Sequence, residues 1–489
     1  MSTMETETGK MSIWLALLPV VVLMGIISAN VFIDKYYFDD PDESFGSNQI
    51  ALLLGSFVAG GIGLARGTSW KTISEAIAKS ISQSTEAMII LLLIGALSGT
   101  WLLAGITPAF IHYGLQLLNP SIFLFAACIV SAALSLATGS SWATIGTIGV
   151  ALIGIGTMMG IEEGWVAGAI ISGAYFGDKL SPLSDTTNLA PAVAGTDLIT
   201  HIKYMTITTV PSITVALAVF LIVGLTGDAS SATEASFAEG FADAVESTFK
   251  IHLGLFIAPI AVLVMIAKKI PAAPSLFIGV LLGALTAVIF QPEAVKNIAG
   301  EDMGYLSASY VASSTSMALD TAFNTGNEYA DKLMRSGGMK GMLDTIWLII
   351  CAMIFGAVLQ AGGMLKRITE GLIASVNSVF GLIGRTAGTS IAFNILASDQ
   401  YIAILVPGKM FRDEYKKHNL APENLSRTLE DAGTATSVLI PWNTCGLAQS
   451  EVLNVATLAY APYCIFNWLS PVMSLIVAKL GYKLNYTDK

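Results

Sequence analysis

Apolar runs of about twenty residues recur from one end of this chain to the other, which leaves few folds open. They lie at about 12–33, 49–65, 87–105, 204–226, 251–267, 275–291, 343–362 and 455–478. A helical crossing of a bilayer needs ~20 consecutive apolar residues, whereas a membrane strand needs only about half as many. Lipid also leaves no free backbone polar group unsatisfied, so only helices and closed barrels cross it. The chain therefore reads as an all-α polytopic membrane protein. Its composition agrees: 54% of 489 residues are hydrophobic and 12% are charged, against roughly 25% charged in a soluble domain. The first run is too long for a signal-peptide core and lacks a clear small-residue cleavage site, so it reads as a span. The net charge of −10 is gathered in a few loops, and no basic patch points to nucleic acid. Cys128, Cys351, Cys445 and Cys464 are far apart, with no C-x-x-C pair to suggest zinc or a disulfide framework. No cofactor is implied.

Residues 177–191, Gly-Asp-Lys-Leu-Ser-Pro-Leu-Ser-Asp-Thr-Thr-Asn-Leu-Ala-Pro, interrupt this pattern inside an apolar run. Asp178, Lys179 and Asp185 would each cost ~2.5–3.5 kcal/mol at a bilayer centre. Pro182 and Pro191 remove backbone donors and disfavour helix just before them. One reading is a solvated loop between two spans. The other is a broken helix, tolerated at membrane depth only where it is buried in protein or lines a wet cavity.

A repeat favours the broken helix. At an offset of 257 residues, Gly99 meets Gly356, Ser141 meets Ser398 and Thr187 meets Thr444. The break at 181–188 then falls opposite 438–445. The polar tip at 138–141, which joins apolar arms at 121–137 and 142–160, falls opposite 395–398, followed by Asp399. Each arm pair is a re-entrant hairpin or two full spans. Basic residues mark cytoplasmic loops. They put both termini, 66–86 and the loop holding Arg412, Lys416, Lys417 and Arg427 inside, and the acidic loop 34–48 outside. Each half then has an odd number of crossings. The expected fold is two inverted-topology repeats, each with a re-entrant hairpin and a broken transmembrane helix. They span residues 1–226 and 251–489, with an extracytoplasmic connector at 227–250. Secondary transporters use this design, with their site at the midplane where broken helices meet.

Unwound backbone exposes carbonyl oxygens, and half-helix ends carry partial charge. Hard cations prefer oxygen ligands. Asp185, Thr187 and Asn188 are the expected sodium ligands, with Ser181 beside them. A carboxylate in a low-dielectric cavity favours its protonated form, so Asp185 can take a proton when the cation leaves. Asp178 and Asp399 are the other candidate acids. The competing reading of Asp178 is an ion pair with Lys179 or a role at a half-helix N-terminus, and that of Asp399 is a hydrogen-bond acceptor behind the site. Ser140 and Ser141 at the first tip, and Asn443 and Thr444 in the second break, complete the set. Arg385 either neutralises an acid, holds an anionic substrate or packs with its head at the interface. His201 reads as an interfacial residue, and Trp14, Trp70 and Tyr482 as interface anchors.

The strings Ala-Thr-Gly-Ser-Ser-Trp-Ala-Thr at 137–144, Gly-Ala-Tyr-Phe-Gly-Asp-Lys-Leu-Ser-Pro-Leu-Ser-Asp-Thr-Thr-Asn-Leu-Ala-Pro at 173–191 and Gly-Thr-Asp-Leu-Ile-Thr-His-Ile at 195–202 resemble the NhaC-type sodium/proton antiporter family of bacteria. The resemblance implies a multi-pass inner-membrane transporter of the ion transporter superfamily, often an elevator and often a homodimer. It implies sodium and protons as substrates. Some relatives instead exchange malate with a proton for lactate with sodium, so small carboxylates are the alternative. An intramembrane enzyme is disfavoured. His-Glu-x-x-His is absent, Tyr175 stands where a Gly-x-Gly-Asp motif needs glycine, and no histidine is placed to face Ser140 or Ser141. No P-loop is present to support ATP-driven pumping.

Overall fold

In the computed structural model, eight helices among the described residues are long and apolar enough to cross a membrane. They include Thr85–Leu103, Pro120–Thr138, Ser141–Met158, Leu198–Thr226 and Val379–Leu396, and a ninth span results if Thr457–Tyr463 and Ile465–Leu480, bent by 54°, cross together. The structure describes residues 11–37, 47–117, 119–226, 244–268, 270–300, 302–373 and 378–487. Most of the expected connector at 227–250, and Asp39, Asp40, Asp42 and Glu43 of the acidic loop, lie outside the described residues.

Local chemistry sets the helix ends that matter. Asn119 caps Pro120–Thr138 by accepting from the Ser121 amide, with Pro120 at the first helical position, where its missing N–H costs nothing. Gly139 ends that helix in the left-handed region at φ 72°, and Ser140 caps the next by accepting from the Ala143 amide. The following arm carries a π-turn, Ile145–Gly149, before it continues as Val150–Met158. Glu163–Leu180 packs along Pro120–Thr138 so closely that a Cβ on Gly177 would collide with the backbone at Ala132 and Leu136. That helix stops at Ser181, and a new one, Asp185–Ala194, starts after the Ser184 cap. The break is therefore 181–184, shorter than the sequence suggested.

The same order of elements recurs in the second half. Ser47 and Tyr305, Thr85 and Leu343, and Ile106 and Met364 start helices 258 positions apart. Pro120 and Val379, Ser141 and Gln400, Glu163 and Pro422, and Asp185 and Thr444 start helices 259 positions apart. A single offset of 257 is thus corrected. Under the observed spacing Gly139 matches Ser398, both with positive φ, and the cap Ser140 matches the cap Asp399. The earlier alignment counted identities among Gly, Ala, Leu, Ser and Thr, which recur by chance in apolar helices. Caps and left-handed residues mark register better because the backbone demands them.

The segment 292–342 is not wholly irregular. It holds the helices Pro292–Ala299 and Tyr305–Ala318 and a two-stranded antiparallel ribbon pairing Thr321–Ala322 with Arg335–Ser336. The fold is therefore mostly helical rather than strictly all-α. Trp14, Trp70 and Tyr482 are exposed. His201 is fully buried instead of interfacial, and its Nδ1 meets the Ser426 hydroxyl at 2.8 Å.

Candidate functional site

Two tips and two breaks meet around one cavity of about 420 Å³. The first tip lines it with Thr138, Gly139 and Ser140, the second with Asp399, Gln400 and Tyr401. The first broken helix adds Asp178, Ser184, Asp185 and Thr186, and the second adds Thr444. One wall comes from Ser84, Glu86, Ala87 and Ile90 and another from Ile266, Ile270, Pro271 and Ala272.

Hydrogen bonds tie each tip to a broken helix. The Ser141 amide and hydroxyl both donate to Asp178 Oδ2, at 3.0 and 2.6 Å. Hydrogen bonds to a charged acceptor are about twice as strong as neutral ones, so this pair is a firm junction. In the second half the Thr444 amide donates to the Ser398 carbonyl at 3.0 Å. Asp399 accepts from the Ile402 amide at 2.9 Å, which caps its own helix.

Of the expected site residues, Ser140, Asp178, Asp185, Asp399 and Thr444 line the cavity. Ser141 is buried beneath Asp178. Ser181, Thr187, Asn188 and Asn443 do not line it. Thr187 donates to the Asp178 and Lys179 carbonyls, both at 3.2 Å. Asn188 donates to the Pro182 and Ser184 carbonyls at 3.0 and 2.7 Å. Ser181 accepts from the Leu183 amide. These three side chains hold the break in shape, so of the expected sodium ligands only Asp185 faces the cavity. Asn443 caps Thr444–Leu453 and donates to Asn394.

Lys179 does not pair with its neighbour Asp178. Its ammonium donates to Asp431 Oδ1 at 2.5 Å and to Ser470 at 2.7 Å, with both charged groups fully buried. Ser474 and Thr208 also donate to Asp431, at 2.7 and 3.1 Å. A helical residue aims its side chain away from its successor's, so adjacent charges face different neighbours. Sequence reading also missed Glu86 and Tyr401 in the cavity and the buried acids Glu430 and Asp431 in the second broken helix. The two acids sit in an otherwise uncharged stretch after Arg427, which was the available signal.

Electrostatics decide what the cavity can hold. Glu86, Asp178, Asp185 and Asp399 line it, and among the described residues no Lys, Arg or His does. Six helices start at its border: Thr85, Ser141, Asp185, Ala272, Gln400 and Thr444 are their first residues. Helices also end at this border, Trp70–Gln83, Pro120–Thr138 and Ile257–Ala267 among them, and their C-terminal dipole ends are negative, so the N-termini only partly offset the four carboxylates and the lining suits a cation or a proton.

The Na+/H+ antiporter family profile matches residues 173–482. The Na(+)/H(+) antiporter NhaC of Alkalihalophilus pseudofirmus is 34% identical over 472 residues, covering 96% of each chain. The chain belongs to the Na+/H+ antiporter family. Its members are transporters, not enzymes, and the expectation drawn from the strings at 137–144 and 173–191 holds at the level of the family. The Malate-2H(+)/Na(+)-lactate antiporter of Bacillus subtilis is likewise 34% identical, over 96% of each chain. A solved structure of Neisseria gonorrhoeae MtrF is 13% identical with a TM-score of 0.37 over 95% of each chain, a likeness too slight to transfer anything to this antiporter-family chain.

Proposed function

We propose that the protein is a secondary antiporter that exchanges sodium for protons across the bacterial inner membrane. The observation that carries this reading is the cavity itself, bordered by four carboxylates and, among the described residues, no basic side chain. Asp185 is the group that alternates between proton and sodium. It stands at the first position of its helix and faces the cavity, with the hydroxyls of Ser140 and Thr444 on the same lining. The recurring spacing of helix starts supports two repeats within 1–226 and 251–489; the placement of basic loops supports their opposite orientation, and we read the tips at 138–141 and 397–399 as the ends of re-entrant hairpins. The walls at 84–90 and 266–272 adjoin loops rich in Lys and Arg, so the cavity opens to the cytoplasm. Both termini lie on that side. An Asn419→Cys label should react only from the cytoplasm, and reaction only from outside would overturn the orientation. A Ser44→Cys label in the acidic loop, a position outside the described residues, should react only from the other side.

One observation favours a second reading, the exchange of small organic anions. Six helix N-termini face the cavity, and such termini bind carboxylates. The similarity to a malate/lactate antiporter points the same way. The deciding experiment is reconstitution in liposomes under an imposed pH gradient, adding sodium, lithium, potassium, malate and lactate one at a time. Proton movement with sodium alone supports the cation reading. A requirement for malate or lactate replaces it with the second.

A further inference from the structure

Glu430 opens a π-turn, Glu430–Thr434, in the second broken helix. Such turns occur frequently at functional sites. Its side chain is fully buried, and neither carboxyl oxygen has a hydrogen-bond partner; the Thr434 hydroxyl has none either. The hydroxyls of Thr434 and Thr186 face the carboxyl without closing a hydrogen bond. Lys179 and Asp178 are the charged groups that face it from the first broken helix, and Asp431 follows it in its own turn. Lys179 is already bonded to Asp431 and Ser470. With all four ionised, three acids would stand against one base in the protein interior, where an unpaired charge is expensive.

Glu430 does not line the cavity, but Thr186 does. That threonine thus touches both compartments, and its hydroxyl also meets the Ser184 hydroxyl at 3.2 Å. A proton needs neither an oxygen shell nor free volume, unlike sodium. We propose that Glu430 is a second proton-binding site, filled and emptied from the cavity through the Thr186 hydroxyl. On sodium arrival the Glu430 proton passes to Thr186 Oγ1 while Thr186 gives its own proton to cavity water. The threonine is regenerated, one proton leaves, and the new carboxylate faces the Lys179 ammonium. This rests on the sodium/proton exchange proposed above.

The test uses the full-length protein in liposomes. The proton-to-sodium ratio is read from the pair of imposed gradients at which flux stops. Wild type should move more than one proton per sodium, and Glu430→Gln should move one fewer while sodium–sodium exchange stays near the wild-type rate. An equal ratio in the two would overturn the proposal. Thr186→Val leaves the carboxyl in place and carries the test if Glu430→Gln does not fold. It should slow proton exchange more than it slows sodium–sodium exchange; unchanged proton flux would count against the relay. Infrared spectra separate this site from the underlying function. A protonated-carboxyl band lost in Glu430→Gln and diminished by sodium is expected. Absence of that band sinks the Glu430 site even where exchange is measured. A band that responds to sodium supports the site, and missing sodium/proton exchange then fails only the function reading.

Discussion

At the first tip and break, Ser141 donates two hydrogen bonds to the carboxylate of Asp178. At the positions 259 residues later, Ser437 approaches the Gln400 amide oxygen at 3.5 Å. The two junctions stand at matching places, yet one is charged and short while the other is neutral and long. The difference continues outward. Asp185 starts the helix after the first break, and Thr444 starts the one after the second. The left-handed tip residue is Gly139 in one half and Ser398 in the other. One backbone plan therefore supports two chemistries. The first half places three of the four cavity acids, Glu86, Asp178 and Asp185, and the second places one, Asp399, and buries two more, Glu430 and Asp431, behind the cavity.

The largest expected effect tests that division of labour. Asp185→Asn keeps the size and one ligand oxygen but cannot cycle a proton. Sodium-driven proton movement should fall to the level of empty liposomes, with expression unchanged. Asp185→Glu should keep part of the activity with a shifted pH profile. Thr444→Val, at the matching position, should only weaken sodium dependence. Equal losses in the two halves would mean that both breaks handle the ion alike.

Next comes the buried pair that joins the two broken helices. Lys179→Met leaves Asp431 buried and uncompensated, which should cost about 3–5 kcal/mol of stability, read as a lowered unfolding temperature in detergent. Lys179→Met with Asp431→Leu should recover much of it, because two apolar side chains replace a desolvated pair. No recovery would show that the pair is needed for more than charge balance.

The junctions themselves should differ. Ser141→Ala removes a hydrogen bond to a charged group and should cost about 1.5–3 kcal/mol, whereas Ser437→Ala should cost only about 0.5–1.5 kcal/mol. The tips give a related contrast. A Cβ on Gly139 would lie 2.5 Å from Leu183 Cβ, at a φ that L side chains rarely adopt, so Gly139→Ala should cost about 1–3 kcal/mol. Ser398→Gly relieves the same left-handed strain and should shift stability by about 1–2 kcal/mol at most, upward if strain outweighs the lost side chain. Thermal unfolding of the four variants checks both orders.

Much of this arrangement is legible in the residues. The charged and proline-rich stretch at 177–191 is incompatible with an uninterrupted membrane helix, and a break is indeed present at 181–184. Thr-Gly-Ser-Ser between apolar arms announces a helix boundary, and Gly139 ends one helix while Ser140 caps the next. Thr187 and Asn188 read as ligands because short oxygen side chains suit either a cation or a neighbouring carbonyl. Nothing local distinguishes the two, and the fold assigns them to the carbonyls of the break. Glu86 was invisible because a wall residue carries no motif, and Tyr401 because nothing local marks which residue of a tip turns to the cavity.

By itself the sequence determined the solvent, the class of fold and the places where helices had to stop. Those follow from interactions among neighbours: apolar runs, prolines, caps and charges that a bilayer penalises. Only the tertiary structure decided which polar groups would meet. Lys179 lies one residue from Asp178 but finds Asp431, 252 positions away. Glu430 is sealed without a partner close to a threonine from the other half. Distant pairs of this kind depend on which helix faces pack together. Periodicity and capping set each helix but leave those faces open, and close packing with the need to satisfy buried charge selects among them.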